Sequence, residues 1–331
     1  MKKKHILRLG LVLGVTGVLT MGLLTGCRMK AVDNSKGHAY IGAAQDTESE
    51  IISELYALAM KDGGYAVTRV FDQKSADLPT LLQKGKTNVS MGRTGALLRD
   101  TLNVDPIQDE KKSLDEVQTG MMTVMDVTVL DAAPADDRPG LAVTKAAADQ
   151  YGLKTVSDLQ KVSGRLVLAR DGFYDSNDFD SAGLSKAYGT FDWKSEKAVH
   201  VKASSKTKSG RLKAGSDSLA SAAKYKLLKS GEAQVCAARA TDGWLTDSGI
   251  VFLEDDRDFW PAYQLVSMSR NDFLTHRIQA GRLLNAINAK LTTKELRKLN
   301  AQVEVEGKSY TAVAKAYYDS IQDDLPFSDK K

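Results

Sequence analysis

Hydrophobic positions along this chain alternate between a helical period and short apolar runs. The stretch 47–64 predicts a helix, because its apolar residues recur on one face and Gly63-Gly64 follow it. Thr47 and Glu50 have the spacing of a capping box at its start. Strand-like runs such as 65–71, 165–170 and 233–240 alternate with further helical segments. This βαβ alternation predicts an α/β fold built on doubly wound sheets.

The alternation pauses at two places about 100 residues apart. The first is 134–139 ("PADDRP") and the second is 238–243 ("ARATDG"). Two such pauses predict an inserted lobe that the chain enters and leaves once, with a ligand cleft that closes by hinge motion. The expected bounds are 38–134 for the first part of lobe one, 139–238 for lobe two and 242–325 for the second part of lobe one.

Residues 1–26 have the composition of a secretory signal, with Lys2, Lys3 and Lys4 before an apolar core. A transmembrane helix is the alternative interpretation, but "LLTGC" matches the bacterial lipobox and favours acylation of Cys27. Residues 27–37 are polar and predict a flexible tether. We therefore expect a lipid-anchored protein on the extracytoplasmic face of the cell membrane.

Charge and motif content exclude several functions. The formal charge of +4 comes from the signal segment, because its removal leaves 42 basic and 42 acidic residues. This balance argues against a nucleic-acid partner. The four histidines are far apart, and no hydrolase or metalloprotease motif is present, so no catalytic, metal or cofactor site is predicted. Cys236 lies in an apolar run and is expected to be a buried thiol rather than a reactive one.

Several stretches in order resemble the substrate-binding lipoproteins of osmoprotectant ABC importers, which take up glycine betaine, carnitine and choline. These stretches include "TESEIISELYALAMKDGGYAV", "LDAAPADD", "GEAQVCAARATDGWL" and "VFLEDDRDFWPAYQLVSMSR". The resemblance implies the two-lobed periplasmic-binding-protein fold of type II, with two crossovers between the lobes. It also implies a small solute and ABC permease subunits as partners, and no enzymatic activity.

The family holds a quaternary ammonium in an aromatic cage by cation–π attraction. The family's pocket residues can be compared with this chain position by position. Where the family has a tyrosine before "TG", this chain has Arg93, and where the family has a threonine after "TG", this chain has Ala96. The tyrosine before "ALAV" becomes Pro139, next to Arg138, and the tyrosine before "STDG" becomes Arg239. The resemblance therefore implies a similar frame with an altered pocket.

Of the family's cage aromatics, only Tyr263 is matched here. The basic residue of the first loop corresponds to Ala44, and the arginine of the second lobe corresponds loosely to Asn177. Thr94 and Thr241 lie in the same loops as the arginines and are included in the expected ligand-binding set. That set is Arg93, Thr94, Arg138, Arg239, Thr241 and Tyr263.

Arginines repel a quaternary ammonium and suit carboxylates or phosphates, so the pocket is expected to favour a solute with an anionic group. Each arginine has an alternative role, exposed to solvent or paired with Asp136, Asp137 or Asp242. A second hypothesis keeps a betaine-type ligand in a cage rebuilt from other aromatic residues, namely Tyr174, Tyr188, Trp244 or Trp260. A third hypothesis is a surface interaction or sensor protein without a transported ligand.

Overall fold

The computed structural model describes residues 36–176, 179–199 and 216–327, which contain two five-stranded sheets. The strands are β1 (His38–Ala44), β2 (Ala66–Gln73), β3 (Val89–Arg93), β4 (Val127–Asp136), β5 (Pro139–Thr144), β6 (Val167–Arg170), β7 (Ser195–Ala198), β8 (Val235–Arg239), β9 (Ile250–Phe252) and β10 (Gln264–Arg270). Lobe one has the order β2-β1-β3-β10-β4, and lobe two has β7-β6-β8-β5-β9. The predicted two-lobed α/β fold is confirmed.

Helices cover both faces of each sheet within the described residues. They are α1 (Thr47–Asp62), α2 (Leu78–Gln83), α3 (Thr94–Ala96), α4 (Glu110–Met125), α5 (Lys145–Tyr151), α6 (Val156–Val162), α7 (Ser181–Tyr188), α8 (Ser216–Lys229), α9 (Asn271–Thr275), α10 (Ile278–Asn288), α11 (Thr293–Glu304) and α12 (Tyr310–Ile321). α3 continues as a π-helical segment, Leu97–Leu102. In lobe one, α1 and α9–α12 pack on one face and α2–α4 on the other. In lobe two, α5–α7 and α8 cover opposite faces.

The start of α1 differs from the predicted capping box by one residue. Asp46 is the N-cap, and its side chain accepts a hydrogen bond from the backbone N–H of Ser49. Thr47 is therefore already inside the helix. Asp and Thr are both good N-cap residues, so the residue types alone do not decide which of the two begins the helix.

The chain crosses between the two described sheets after β4 and again after β9. The second crossover differs from the predicted boundary at 238–242. β9 pairs antiparallel with β5, and both Leu253 and Trp260 pack in the core of lobe two. Lobe two therefore extends beyond residue 238 to about residue 260, and the second part of lobe one begins near β10. The polar 241–243 turn resembles a boundary, but it only precedes one more edge strand of lobe two.

Three features of lobe one were not evident from the sequence pattern. The apolar run that contains β4 begins inside α4, because the helix ends at Met125 and Asp126, in the left-handed region, separates it from β4. β10 is a central strand with five consecutive buried residues, which hides the alternation typical of a strand. The helical segment after β10 is divided into two helices, α9 and α10, with His276 and Arg277 between them.

The signal segment 1–26, Cys27 and most of the 27–37 tether lie outside the described residues, as does Asn177. Among the residues that are described, no helix is long and apolar enough to cross a membrane.

Candidate functional site

Arg93 lies at the carboxyl end of β3, next to the first crossover, and it contacts three carboxylates. Its Nε donates to Oδ2 of Asp137 at 2.6 Å. Its Nη2 donates to Oε1 of Glu48 at 2.9 Å and to Oδ1 of Asp46 at 3.3 Å. Only 13% of the Arg93 side chain is exposed. Arg93 therefore joins the start of α1 to the crossover, and it is already neutralised by the protein.

Asp137 is the point where the two lobes meet. It is fully buried in the crossover between β4 and β5. Oδ1 accepts a hydrogen bond from the hydroxyl of Thr241 at 2.6 Å, and Oδ2 lies 3.5 Å from Nη1 of Arg239. One carboxylate thus holds Arg93 from lobe one together with two residues of lobe two. We call Arg93, Arg239, Asp46, Glu48 and Asp137 the crossover cluster.

Glu48 is the second buried carboxyl group of the crossover cluster. Nδ2 of Asn300 donates to its Oε2 at 3.1 Å and to the carbonyl of Thr241 at 2.9 Å. Burial, reinforced by the charge of Asp137, raises the pKa of Glu48 to about 7, although Arg93 opposes this shift. Burial also opposes the charge of Arg93, but the three carboxylates outweigh it and raise the pKa of Arg93 well above its usual value. The cluster therefore holds no excess positive charge at neutral pH.

Arg239, at the end of β8, lies beside two aromatic rings. Its guanidinium carbon is 4.7 Å from the ring centre of Phe173 and 5.4 Å from that of Tyr263. Both distances are within the range of cation–π attraction. Its backbone N–H donates to Asp242, which also accepts a hydrogen bond from the Tyr225 hydroxyl. With 22% of its side chain exposed, Arg239 is more accessible than Arg93.

Tyr263 is almost completely buried and packs against the loop that begins at Arg93. A Cβ at Gly95 would lie 2.4 Å from Cε2 of Tyr263, so only glycine allows this approach. The Tyr263 hydroxyl accepts a hydrogen bond from Nη1 of Arg99 at 2.9 Å. Thr94, also buried, donates to the carbonyl of Ala262 and accepts from the N–H of Gln264. The "TG" loop thus positions the Tyr263 ring, and Thr94 binds backbone atoms.

Arg138 belongs to a separate ion-pair group. Its Nε donates to Asp136 at 2.6 Å, and its Nη2 lies 3.5 Å from the exposed Glu110. The sequence had left open that the arginines pair with nearby aspartates, and the structure contains such pairs. Arg138 pairs with Asp136, whereas Arg93 and Arg239 pair with Asp137. Arg93, Arg239, Thr241 and Tyr263 are brought together, whereas Arg138 lies in its own group and Thr94 serves the backbone.

Phe173, Glu48, Asp46 and Asn300 are residues of this site that sequence reasoning missed. Asp46 and Glu48 lie at the start of α1, where acidic residues are common whatever the function, so they gave no signal. The four aromatic residues proposed for a rebuilt cage pack instead in lobe two. Trp260 contacts Phe179, and Trp244 stacks on Tyr225. Tyr174 and Tyr188 join the core that contains Trp260.

A second cation lies near Phe173, inside lobe two. The ammonium of Lys224 is 5.4 Å from the Phe173 ring centre and 3.1 Å from the carboxylate of Asp171. Both charged side chains of this pair are almost completely buried. Cys236 is also buried, and burial raises the pKa of its thiol to about 12, which confirms the prediction of an unreactive core thiol.

A cavity of about 770 Å³ lies on lobe two, at the edge of the sheet opposite the crossover cluster. It is lined by Thr144 and Gln234, at the far ends of the strand pair whose near ends are Pro139 and Arg239. Two of its three lysines, Lys145 and Lys229, are paired with Asp149 and Asp247. This cavity is distinct from the site that the sequence predicted. Among the described residues, no group of three potential metal ligands is found.

Comparison with known proteins identifies this two-lobed architecture. Residues 40–320 match the family described as the substrate binding domain of ABC-type glycine betaine transport systems. The chain belongs to this family. It is 26% identical over 323 residues to the carnitine transport binding protein OpuCC of Listeria monocytogenes, and the match covers 96% of each chain.

Two further relatives support the same assignment. The glycine-betaine-binding protein of Pseudomonas aeruginosa is 23% identical over 280 residues, which cover 83% of this chain and 85% of that protein. The crystal structure of a glycine betaine/carnitine/choline ABC transporter protein has a TM-score of 0.73 at 26% identity, and the match covers 86% of this chain and 98% of that one. Members of the family are extracytoplasmic solute-binding proteins that work with ABC permease components, and they are not enzymes.

Proposed function

We propose that this protein is the lipid-anchored solute-binding component of an ABC importer, and that its solute carries an anionic group. The solute would bind between the lobes, at the crossover cluster. The strand order supports this location. The cluster and its neighbours lie at the carboxyl ends of two parallel strand pairs, β1 with β3 and β6 with β8. Ligands of open α/β sheets bind at such edges.

The observation that carries the proposal is the position of Arg239 beside Phe173 and Tyr263. An arriving quaternary ammonium would find its place at these rings taken by a guanidinium, which also repels a second cation. A carboxylate or phosphate is instead attracted to a guanidinium through charge-assisted hydrogen bonds. The relatives are named for carnitine and glycine betaine, which carry a carboxylate as well as a quaternary ammonium.

The three arginines contribute unequally to this proposal. The sequence hypothesis assigned the anionic group to Arg93, but Arg93 is engaged by three carboxylates and is mostly buried. We therefore assign the direct contact to Arg239 and a positioning role to Arg93. Thr241 supports the same arrangement through its hydrogen bond to Asp137. Arg138 stays a candidate at the rim of the cleft, where 28% of its side chain is exposed.

A thermal-shift panel tests the solute class. Anionic solutes are expected to raise the melting temperature, because binding to the folded state alone stabilises it by about 2.7 kcal/mol at a hundredfold excess over Kd. Arg239→Ala should weaken the best anionic ligand by about 1.5–3 kcal/mol, the contribution of a hydrogen bond to a charged group. Arg165→Ala is the control, since Arg165 lies at Tyr151 by the distant cavity of lobe two. Equal losses in both variants would place the anion elsewhere.

Anchoring is tested separately through Cys27. Cys27→Ala is expected to leave the protein in the soluble fraction or unprocessed, because the acylated side chain would be missing. Cell fractionation and the mass of the mature chain measure this. The control is Cys236→Ala, which alters a buried thiol of β8 and should stay in the membrane fraction. Normal acylation of the Cys27→Ala protein contradicts the assignment.

One observation favours a second candidate, a binder of betaine or choline. Phe173 and Tyr263 lie near a common cation, and two such rings form part of an aromatic cage once that cation moves aside. Tight binding of betaine or choline by the unmodified protein, without any response to anions, would support this candidate. A response to neither class would favour the surface or sensor role.

A further inference from the structure

The two rings beside Arg239 come from different lobes. Phe173 follows β6 in lobe two, whereas Tyr263 directly precedes β10 in lobe one. The guanidinium carbon of Arg239 lies within 6 Å of both ring centres, at 4.7 Å and 5.4 Å. The position of a cation attracted by both rings is thus already taken by a side chain of the protein.

A buried counter-charge completes this position. Asp137 lies 3.5 Å from Nη1 of Arg239, and its backbone carbonyl accepts a hydrogen bond from the same nitrogen at 3.3 Å. The crossover cluster contains two guanidinium groups and three carboxyl groups. Without Arg239, a single guanidinium would remain beside the three carboxyl groups, and a bound cation would offset part of their negative charge.

We infer that Arg239 is an internal cation that occupies a quaternary-ammonium site formed by Phe173, Tyr263 and Asp137, and that it excludes such ligands from this cleft. The inference rests on the proposed solute-binding function and names the residue that sets its specificity. Aromatic faces attract a guanidinium and a quaternary ammonium alike. Lys224 also lies near Phe173, but Asp171 neutralises it in either case.

The test measures binding of tetramethylammonium and choline to purified protein by isothermal titration calorimetry. Arg239→Ala is expected to bind choline at least tenfold more tightly than the unmodified protein, because the occupied position becomes vacant. The neutral analogue 3,3-dimethylbutan-1-ol should show no such gain, since it has the shape of choline without its charge. Arg239→Lys is the matched control, because it keeps a cation and should gain nothing.

Adding Phe173→Leu to Arg239→Ala should remove most of the gain, because one of the two rings is then missing. The inference is overturned if the unmodified protein binds choline as tightly as Arg239→Ala, or if the folded variant gains nothing. Should Arg239→Ala fail to fold alone, recovery of its cooperative thermal transition in tetramethylammonium supports the inference, and absence of recovery overturns it. The proposed function fails on a different result, namely that no anionic solute stabilises the unmodified protein.

Discussion

Arg93→Ala is expected to lower the free energy of unfolding by about 3–5 kcal/mol, the usual cost of removing one partner from a buried ion pair. The substitution removes the guanidinium that contacts both Asp137 and Glu48, whose side chains are only 1% and 5% exposed. Asp137 then keeps Arg239 at 3.5 Å, whereas Glu48 keeps only its hydrogen bond from Asn300 among the contacts described above. Chemical denaturation monitored by circular dichroism measures the loss. Arg138→Ala is the matched control, because its partners Asp136 and Glu110 are more exposed and surface pairs contribute at most about 1 kcal/mol.

The loss in Arg93→Ala should depend on pH. The pKa of Glu48 is raised from 4.5 to about 7, so the native state binds this proton more tightly than the unfolded chain does. The stability that the protonated Glu48 carboxyl group contributes is therefore fully present below about pH 4.5, and it is lost as the pH rises through about 7. Arg93 lowers this pKa, so its removal makes the carboxylate form still more costly. The loss should be larger at pH 8 than at pH 5, and equal losses at both values would contradict this account.

Gly243→Ala is expected to destabilise the protein by about 3 kcal/mol, at the upper end of the usual cost of overpacking. A Cβ at Gly243 would lie 2.4 Å from the backbone nitrogen of Ala301 and 2.6 Å from the carbonyl carbon of Asn300. Both are backbone atoms of α11, and the backbone of a helix cannot move aside as the end of a flexible side chain can. The helix would have to separate from the 243–246 turn, which carries the hydrogen bond between the Gly243 N–H and Glu304.

The control for this substitution is Gly172→Ala, because a Cβ at Gly172 meets nothing within 4 Å. Differential scanning calorimetry of the two variants measures the difference in melting temperature. If both variants melt at the same temperature, the close packing of α11 on lobe two is not required for stability.

Much of the fold could be predicted from local patterns. α1 was evident because its apolar residues recur every three or four positions, and the burial of Ile51, Leu55 and Ala59 follows that spacing. The two-lobed division was evident from the first pause in the pattern. The second crossover was not, because β9 is a three-residue edge strand whose membership depends on its pairing with β5. A strand that short carries no pattern of its own.

The residue types of the candidate site were also visible in the sequence, and their partners were not. Arg93 is 44 residues from Asp137 and 45 from Glu48, and Asn300 is 252 residues from Glu48. Phe173 gave no signal, because an aromatic residue in a lobe core and one beside a cation look alike in a sequence. Only the pairing of β6 with β8 inside lobe two brings it within 4.7 Å of Arg239.

The sequence alone therefore determined the α/β class, the two-lobed plan, the unusual arginines and the expectation of an anchored binding protein. The fold class and the two-lobed plan depend on short-range periodicity, and the anchor depends on the signal motif. The binding function and the unusual arginines follow from the resemblance to the family. The tertiary structure alone decided that Arg93 and Arg239 are paired with carboxylates and that aromatic rings lie near Arg239. Pairing over such separations is determined by packing, because burial makes unpaired charges too costly and selects the one arrangement that neutralises them.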